Sequence, residues 1–243
     1  MGPLIGNHIT TVLFDLDGTL LPMHTETFTK AYFKLLAEKA APYGYEAKAL
    51  VDAVWAGTQA MVQNDGTCPN DRRFWQTFAG RLGEDVLALR PVFDQFYAQE
   101  FHAAKAATRP NPLARQVVQA LRGRGYAVIL ATNPLFPAVG VATRLSWLGL
   151  TPGDFLHVTS YENSSFCKPN PAYFTQLLRD TGRQPGECLM VGNNVAEDIQ
   201  AATRAGLSAY LVTDCLENPA ALDTTALPQG AFAAFAQSVG CLP

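Results

Sequence analysis

Short apolar runs that alternate with helix-like segments dominate the hydrophobic pattern of this chain. Five runs are typical of strands: Thr10–Phe14, Tyr126–Ala131, Phe155–Val158, Cys188–Val191 and Ala209–Val212. A helix-like segment precedes each of the last four runs, and the four segments are 112–122, 134–148, 171–181 and 195–205. Because strands that alternate with helices form βαβ units, the pattern predicts an α/β fold with a parallel sheet.

The interval from residue 21 to residue 109 breaks this alternation. It contains no obvious strand, and apolar residues such as Phe28, Tyr32 and Leu36 recur at helical spacing. Four helices are predicted in it: Thr25–Ala40, Glu46–Val62, Asp71–Leu82 and Asp85–Ala107. We therefore predict two domains. Residues 1–20 and 110–243 form an α/β core, and residues 21–109 form a helical domain inserted after the first strand.

Composition limits the class of protein. The 243 residues include 48% hydrophobic and 16% charged residues, which suits a globular protein with a well-filled core. The net charge of -3, without a basic run, argues against a nucleic-acid partner. Five scattered cysteines without a CxxC pair favour a reducing compartment over a disulfide framework or zinc site. With neither a signal-like start nor a membrane-spanning run, we expect a cytoplasmic protein with no membrane partner.

Polar residues follow four of the predicted strands, where parallel strands converge on one edge of the sheet. Four groups are present: Asp15 with Asp17, Thr132 with Asn133, Glu162 followed by Lys168, and Asn193-Asn194 followed by Glu197 and Asp198. Gly18 permits a tight turn directly after the first pair. Two carboxylates this close repel each other unless they share a cation or a proton. This edge of the sheet therefore requires a metal ion, an acid/base role, or both.

The segments DLDGTL, ATN, KP and VGNNVAED occur in the order of the four motifs of the haloacid dehalogenase superfamily, and the chain resembles that superfamily. The resemblance implies a Rossmann-like core with a helical C1 cap. It also implies a Mg²⁺-dependent phosphatase that acts on a small phosphorylated metabolite. Phosphatases of the superfamily have an aspartate two residues after the nucleophile, whereas dehalogenases lack it. Asp17 therefore favours phosphoryl transfer over dehalogenation.

The resemblance also implies roles for the acidic residues. Asp15 is expected to be the nucleophile that forms an aspartyl-phosphate. Asp17 is expected to protonate the leaving oxygen and then to activate water. The predicted Mg²⁺ ligands are a carboxylate oxygen of Asp15, the backbone carbonyl of Asp17, and the fourth motif, where Asn193 and Asp198 stand.

The phosphoryl group is expected to bind beside these acids. The resemblance assigns its binding to the turn at Gly18, to Thr132 with Asn133, and to Lys168, which neutralises charge. Lys168 and Thr132 are also counted as catalytic residues. Arg72 and Arg73 are further candidates for substrate binding, because arginine clamps anionic groups.

Seven aromatic residues of the inserted segment lie at helix-like spacings. We expect them to form the core of the insert rather than a stacking site for a ligand. They are Phe74, Trp75, Phe78, Phe93, Phe96, Tyr97 and Phe101.

The fourth motif departs from the GDxxxxD pattern of most relatives, because Asn193 replaces the first acid. Three outcomes stay open: weaker Mg²⁺ binding through the amide, ligation by Asp198 or Glu197 instead, or loss of catalysis. The survival of the other motif residues favours an active enzyme. One alternative is a phosphomutase or phosphotransferase that uses the same aspartate. The other is a catalytically weakened protein with a phosphometabolite-binding or regulatory role.

No sequence motif identifies the substrate or the oligomeric state. The apolar stretch Asp223–Pro243 is expected to pack on the core as a helix, with no assigned role.

Overall fold

The computed structural model describes residue 6 and residues 8–241, and within them it contains a six-stranded sheet. The strands are Thr11–Phe14 (β1), Ala127–Leu130 (β2), His157–Val158 (β3), Cys188–Gly192 (β4), Ser208–Val212 (β5) and Gln229–Gly230 (β6). Their order is β3-β2-β1-β4-β5-β6, and every neighbouring pair is parallel. The predicted α/β fold with a parallel, Rossmann-like sheet is therefore confirmed.

Strand β1 lies at the centre of the sheet. Thr11 pairs with Ala127 of β2 on one side and with Cys188 of β4 on the other. All four residues of β1 are fully buried, which explains why the run is apolar without alternation. The strand order reverses beside β1, and in such sheets the crevice at the carboxyl ends of the strands is where ligands bind.

Nine helices accompany the sheet in the described part of the chain. They are Thr25–Ala40 (α1), Ala47–Val62 (α2), Asn70–Leu82 (α3), Arg90–Ala98 (α4), Pro112–Gly123 (α5), Ala138–Trp147 (α6), Ala172–Thr181 (α7), Ala201–Arg204 (α8) and Phe232–Ser238 (α9). A π-helix, Val195–Gln200, runs directly into α8. Asn111 begins α5 by accepting a hydrogen bond from the backbone N–H of Leu113 at 2.9 Å, while Pro112 occupies the first turn.

The chain leaves the sheet after β1 and returns with α5, and residues 25–107 between them are called the helical insert. Its two connections to the sheet lie side by side. Met23 and Thr108 form an antiparallel bridge, and the backbone N–H of Arg109 donates to the carbonyl of Pro22 at 2.8 Å. The division into a core and a separate cap domain at residues 21 and 109 stays a prediction.

Two predicted helices differ from the observed ones, and proline explains both differences. The segment expected to be one helix at Asp85–Ala107 consists of 3₁₀ turns at Glu84–Leu89 and Glu100–Ala107 on either side of α4. Pro91 lies in the first turn of α4, where the missing N–H of proline ends the preceding turn and starts a new helix. The helix expected from residue 134 begins at Ala138, directly after Pro137.

The C-terminal stretch is less helical than expected. It contributes strand β6 before α9, and Pro243 lies outside the described residues. Helix α9 packs on the sheet through Phe235, whose ring centroid lies 5.8 Å from that of Phe14 in β1. None of the helices among the described residues is long and apolar enough to cross a membrane.

Candidate active site

A cavity of about 310 Å³ lies between the carboxyl edge of the sheet and the helical insert. Five acidic side chains line its sheet side and are called the carboxylate floor: Asp15, Asp17, Glu197, Asp198 and Glu217. Thr132, Asn133 and Asn193 line the cavity beside them. The loops that follow β1, β2 and β4 thus bring most of the predicted site residues to one place.

Lys168 joins two strand ends beneath the cavity. Its Nζ donates to Oδ1 of Asp15 at 2.8 Å and to Oδ1 of Asp198 at 2.6 Å. The side chain is only 1% exposed. Burial by itself lowers the pKa of Lys168, but the charges of Asp15 and Asp198 outweigh burial and hold that pKa well above its ordinary value. The ammonium is therefore charged at neutral pH and fixes both carboxylates.

Asn133 holds the loop that carries Lys168. Its Oδ1 accepts from the backbone N–H of Lys168 at 3.2 Å, and its Nδ2 donates to the Lys168 carbonyl at 3.3 Å. The same Nδ2 donates to Glu197 at 2.9 Å. The carbonyl of Thr132 accepts from the hydroxyls of Thr159 and Tyr173 at 2.7 and 3.0 Å, which fixes the end of β2. Asn133 thus acts on the positions of neighbouring side chains.

The π-helix after β4 presents Glu197 and Asp198 to the floor together. π-helical turns are rare and occur mostly at functional sites. The backbone N–H of Asn194 donates to Oδ2 of Asp198 at 3.0 Å. A Cβ on Gly192 would lie 2.3 Å from that same Oδ2, so only glycine leaves room for the carboxylate. Burial raises the pKa values of both acids, Lys168 opposes the rise, and the negative charge of Asp15 adds to it.

Asn193 is committed to contacts within the protein. Its Oδ1 accepts from the Thr19 hydroxyl at 3.0 Å, and its Nδ2 donates to the carbonyl of Cys215 at 2.6 Å. The amide thereby links the loops after β1, β4 and β5. Gly18, with a φ of +88°, passes so close that a Cβ there would lie 2.3 Å from Nδ2 of Asn193. Gly18 therefore serves this close approach as well as the turn.

Arg144 is a site residue that the sequence analysis missed. It lies in α6, is fully buried, and donates through Nη1 to Oδ2 of Asp17. Its guanidinium carbon lies 4.2 Å from the ring centroid of Phe136. The signal was present in the sequence, since Arg144 interrupts the apolar stripe that Val141 and Leu145 form on the buried face of α6.

The carboxyl group of Asp17 experiences opposing influences. Burial raises its pKa, the guanidinium of Arg144 lowers it, and the charge of Asp15 raises it again, with a net increase above the ordinary value. Its Oδ1 is buried and has no hydrogen-bond partner among the residues that the structure describes. An unpartnered acceptor in this position suits a proton-carrying role toward a bound group.

Glu217 is a second missed residue, and it connects the floor to the insert. It accepts from the hydroxyl of Thr25 at the start of α1, and from Nδ2 of Asn194 at 3.1 Å. It follows β5 in a segment without a recognisable pattern, so no feature of the sequence pointed to it. Through Glu217, the first helix of the insert is attached to the loop after β4.

The donor chemistry of the carboxylate floor fits a hard divalent cation. Five carboxylates face two contacting cations, Lys168 and Arg144, so the described side chains leave an excess of negative charge. No three carboxylate, histidine or cysteine side chains within residues 8–241 converge as a ready metal cluster. The predicted ligand set does not require such a cluster, because it combines the carboxylates of Asp15 and Asp198 with an amide and a backbone oxygen.

The predicted substrate-binding arginines lie away from the cavity. Neither Arg72 nor Arg73 lines it. Arg73 donates to Asp65 at 2.7 Å and to Oδ1 of Asn64 at 3.1 Å, within the loop that precedes α3. The structure therefore does not bring these two residues to the carboxylate floor.

The insert side of the cavity is aromatic. Nine rings of the insert line it and are called the aromatic roof: Phe28, Tyr32, Phe33, Trp55, Phe74, Trp75, Phe78, Phe93 and Tyr97. Phe96 and Phe101 are fully buried and do not line the cavity, as expected of core residues. All seven aromatics of residues 74–101 belong to the hydrophobic core or pack against it, as expected, and the other five also line the cavity. They pack against each other and also face the cavity, because the insert has its hydrophobic face above the floor.

Comparisons with known proteins agree with this geometry. The family model described as haloacid dehalogenase-like hydrolase matches residues 9–206. The chain is 29% identical over 213 residues to a glyceraldehyde 3-phosphate phosphatase of Methanothermobacter thermautotrophicus, covering 84% of this chain and 85% of that protein. It is 29% identical over 209 residues to a phosphoglycolate phosphatase of Vibrio vulnificus, covering 84% of each.

A solved structure has the same fold. The crystal structure of a HAD phosphatase from Thermococcus onnurineus superimposes with a TM-score of 0.61 at 18% identity. The match covers 96% of this chain and 98% of that one.

Proposed function

Because this chain belongs to the haloacid dehalogenase-like hydrolases, we propose that it is a Mg²⁺-dependent phosphatase that hydrolyses a small phosphorylated metabolite through an aspartyl-phosphate. Two similar proteins are named as phosphatases of glyceraldehyde 3-phosphate and phosphoglycolate, which supports this reaction class. The observation that carries the proposal is the buried Lys168 ammonium, which holds Asp15 and Asp198 at the carboxyl edge of the sheet.

In the first step, a carboxylate oxygen of Asp15 attacks phosphorus, and the bond from phosphorus to the ester oxygen breaks. Asp17 donates its proton to that oxygen, so the alcohol leaves neutral. In the second step, Asp17 takes a proton from water, whose oxygen attacks phosphorus. The bond to Asp15 breaks, and inorganic phosphate leaves. Both aspartates return to their starting states.

Lys168 orients Asp15, since its ammonium contacts Oδ1 and leaves the second oxygen for attack. Thr132 and the backbone at Gly18 are placed to hold the phosphoryl oxygens in this proposal. Arg144 is a positioning residue, because it contacts Asp17 while it is itself fully buried. Its hydrogen bond fixes one oxygen of Asp17 and leaves the unpartnered Oδ1 for the proton.

Asp15, the backbone carbonyl of Asp17, and Asp198 or Asn193 would hold Mg²⁺. When bound, the ion supplies positive charge that neutralises the floor and polarises a phosphoryl oxygen. Asp198 is the stronger candidate in the fourth motif, because a carboxylate offers the cation a negative charge that the amide of Asn193 lacks.

The test is phosphate release from 4-nitrophenyl phosphate and a panel of alkyl phosphates, with Mg²⁺ and with EDTA. We expect turnover that requires Mg²⁺ and disappears in Asp15→Asn. The melting temperature should also rise on addition of Mg²⁺, which reports binding independently of turnover. Binding of phosphate esters without turnover would overturn the proposal in favour of a binding protein. Transfer of phosphate to an added alcohol instead of water would make the protein a phosphotransferase.

A further inference from the structure

The two sides of the cavity differ in chemistry, and the difference concerns the part of the substrate that is not phosphate. Taking the proposed phosphatase as its basis, we infer that the substrate is the phosphate monoester of an uncharged, apolar alcohol, with aryl and arylalkyl alcohols fitting best. The ester's phosphoryl group lies on the carboxylate floor, where Asp15 and Asp17 are. The alcohol must therefore point to the aromatic roof.

The roof offers no cation to an acidic substrate. Among the described residues that line the cavity, none is lysine, arginine or histidine. Two guanidinium groups lie behind the lining residues. Arg144 is fully buried against Phe136 and donates to Asp17. Arg90 is exposed and lies on the ring of Trp75, with its guanidinium carbon 4.6 Å from the ring centroid, but it does not line the cavity. A carboxylate on the leaving group, as in phosphoglycolate, would lie unpaired against aromatic rings. Removing a charge from water without a partner is strongly unfavourable, so such substrates bind poorly here.

Several polar groups of the roof are already engaged in hydrogen bonds within the protein. The hydroxyls of Tyr32 and Tyr97 lie 2.8 Å apart, and Nε1 of Trp75 donates to the Tyr161 hydroxyl at 3.3 Å. The hydroxyl of Thr58 donates to the carbonyl of Val54 at 2.9 Å. A sugar or polyol would have to break these bonds or leave its own hydroxyls unpaired. The surface that remains for the alcohol is mainly carbon.

The rings of the roof contact one another in two groups, one around Phe74 and one around Tyr32. Phe74 and Phe78 stack with centroids 5.2 Å apart, and Trp75 and Phe93 meet edge to face at 5.7 Å. Offset and edge-to-face contacts of this kind extend naturally to one more ring. The cavity of about 310 Å³ is large enough, because a cavity of about 150 Å³ already holds benzene. An aromatic ring and a phosphoryl group therefore fit together.

The experiment compares kcat/KM for four alkyl esters on the Mg²⁺-loaded full chain: 2-phenylethyl phosphate, ethyl phosphate, phosphoglycolate and glycerol 3-phosphate. All four release alkyl alcohols, so differences in leaving-group chemistry are small. We expect 2-phenylethyl phosphate to exceed phosphoglycolate and glycerol 3-phosphate by about 100-fold or more. That ratio corresponds to about 2.7 kcal/mol of transition-state binding.

Trp55 provides a variant with a matched control. It lines the cavity and is 47% exposed, whereas Tyr43 is 48% exposed and does not line it. Trp55→Ala should therefore lower the kcat/KM ratio of 2-phenylethyl phosphate to ethyl phosphate by about 10-fold, the effect of about 1.4 kcal/mol. Tyr43→Ala should leave the ratio unchanged. Because both side chains are half exposed, neither loss removes a buried part of the core.

A second variant adds the missing cation. Thr58→Lys places an ammonium at a half-buried position of the cavity wall, and it should raise kcat/KM for phosphoglycolate relative to 2-phenylethyl phosphate. If the native protein prefers phosphoglycolate or glycerol 3-phosphate, the inference is wrong while the proposed phosphatase stands. If 4-nitrophenyl phosphate and all four alkyl esters are left intact, the proposed function itself is wrong, and the inference falls with it.

Discussion

The carboxylate floor and the aromatic roof enclose the same cavity but differ in how each side chain is used. On the floor, charged groups are individually engaged, and Lys168 alone contacts two carboxylates. On the roof, rings contact one another as a layer, and Phe74 packs on both Trp75 and Phe78. The floor therefore depends on single atoms, whereas the roof depends on summed surface. Substitutions on the floor should have large effects on chemistry, and those on the roof should have graded effects on selectivity.

Asp15→Asn should give the largest effect and most clearly separate the floor from the roof. The amide is a poor nucleophile, so we expect kcat to fall by at least about 10⁴-fold. The fold should remain, since the substitution reduces the excess of negative charge on the floor. Steady-state phosphate release and circular dichroism measure the two quantities. Residual activity above about 1% would remove Asp15 from the role of nucleophile.

Lys168→Met should destabilise the protein through the floor. The substitution leaves Asp15 and Asp198 buried without a counter-charge, and breaking such a pair typically costs about 3–5 kcal/mol. The free energy of unfolding in urea is the measurement. In an Asp15→Asn background the same change should cost less, because one of the two stranded charges is already absent. Equal losses in both backgrounds would show that Lys168 and Asp15 are not coupled.

Arg144→Gln tests whether a buried residue outside the cavity acts through Asp17. We expect the rate of alcohol release in a single turnover to fall by about 100-fold for ethyl phosphate, since proton transfer to the leaving oxygen is impaired. The fall should be smaller for 4-nitrophenyl phosphate, whose leaving group needs little protonation. Arg144→Lys retains the charge and should recover part of the rate. Equal losses for both esters would assign Arg144 a structural role only.

Asn193→Asp should have the smallest effect, and it is expected to act on stability. In the native protein, Nδ2 of Asn193 lies 2.6 Å from the carbonyl oxygen of Cys215. The aspartate removes this donor and places a carboxylate oxygen against that carbonyl. The unpaired acceptor should lower the free energy of unfolding by about 1–3 kcal/mol. Thermal unfolding with and without Mg²⁺ is the measurement. An unchanged stability with tighter Mg²⁺ binding would show instead that residue 193 is primarily a metal ligand.

The elements that could be predicted from the sequence are those with a clear hydrophobic pattern. Strand β1 is an unbroken apolar run, so its burial and its position in a parallel sheet followed from the pattern. Strand β6 was missed because Gln229 and Gly230 carry no apolar signal. Pro91 did mark the interruption of the long predicted helix, but the aromatic spacing around it concealed the break.

Within the site, residue type and strand ends were sufficient to group Asp15, Asp17, Lys168 and Asp198. Arg144 interrupts the apolar stripe of α6, and this signal in the sequence was overlooked. Its partner Asp17 lies 127 positions away in the sequence, so the contact itself is visible only in the folded structure. The roof also has a second role that the spacing of its aromatic residues could not show, since they belong to the core and line the cavity as well. Helical aromatic spacing indicates a buried face, and it does not reveal whether that face meets other side chains or an open cavity.

The paired connections at Met23 and Thr108 have a consequence for how this protein can vary over evolutionary time. The helical insert leaves the sheet and returns to it at neighbouring points. It therefore constrains the sheet no more than a short loop at the same position would. The entropy of closing a loop rises only slowly with its length. Helices can therefore be lengthened, exchanged or given new side chains above the catalytic edge without shifting the register of β1. The residues of the roof, which set selectivity, can therefore change in evolution independently of the residues of the floor, which carry out the reaction.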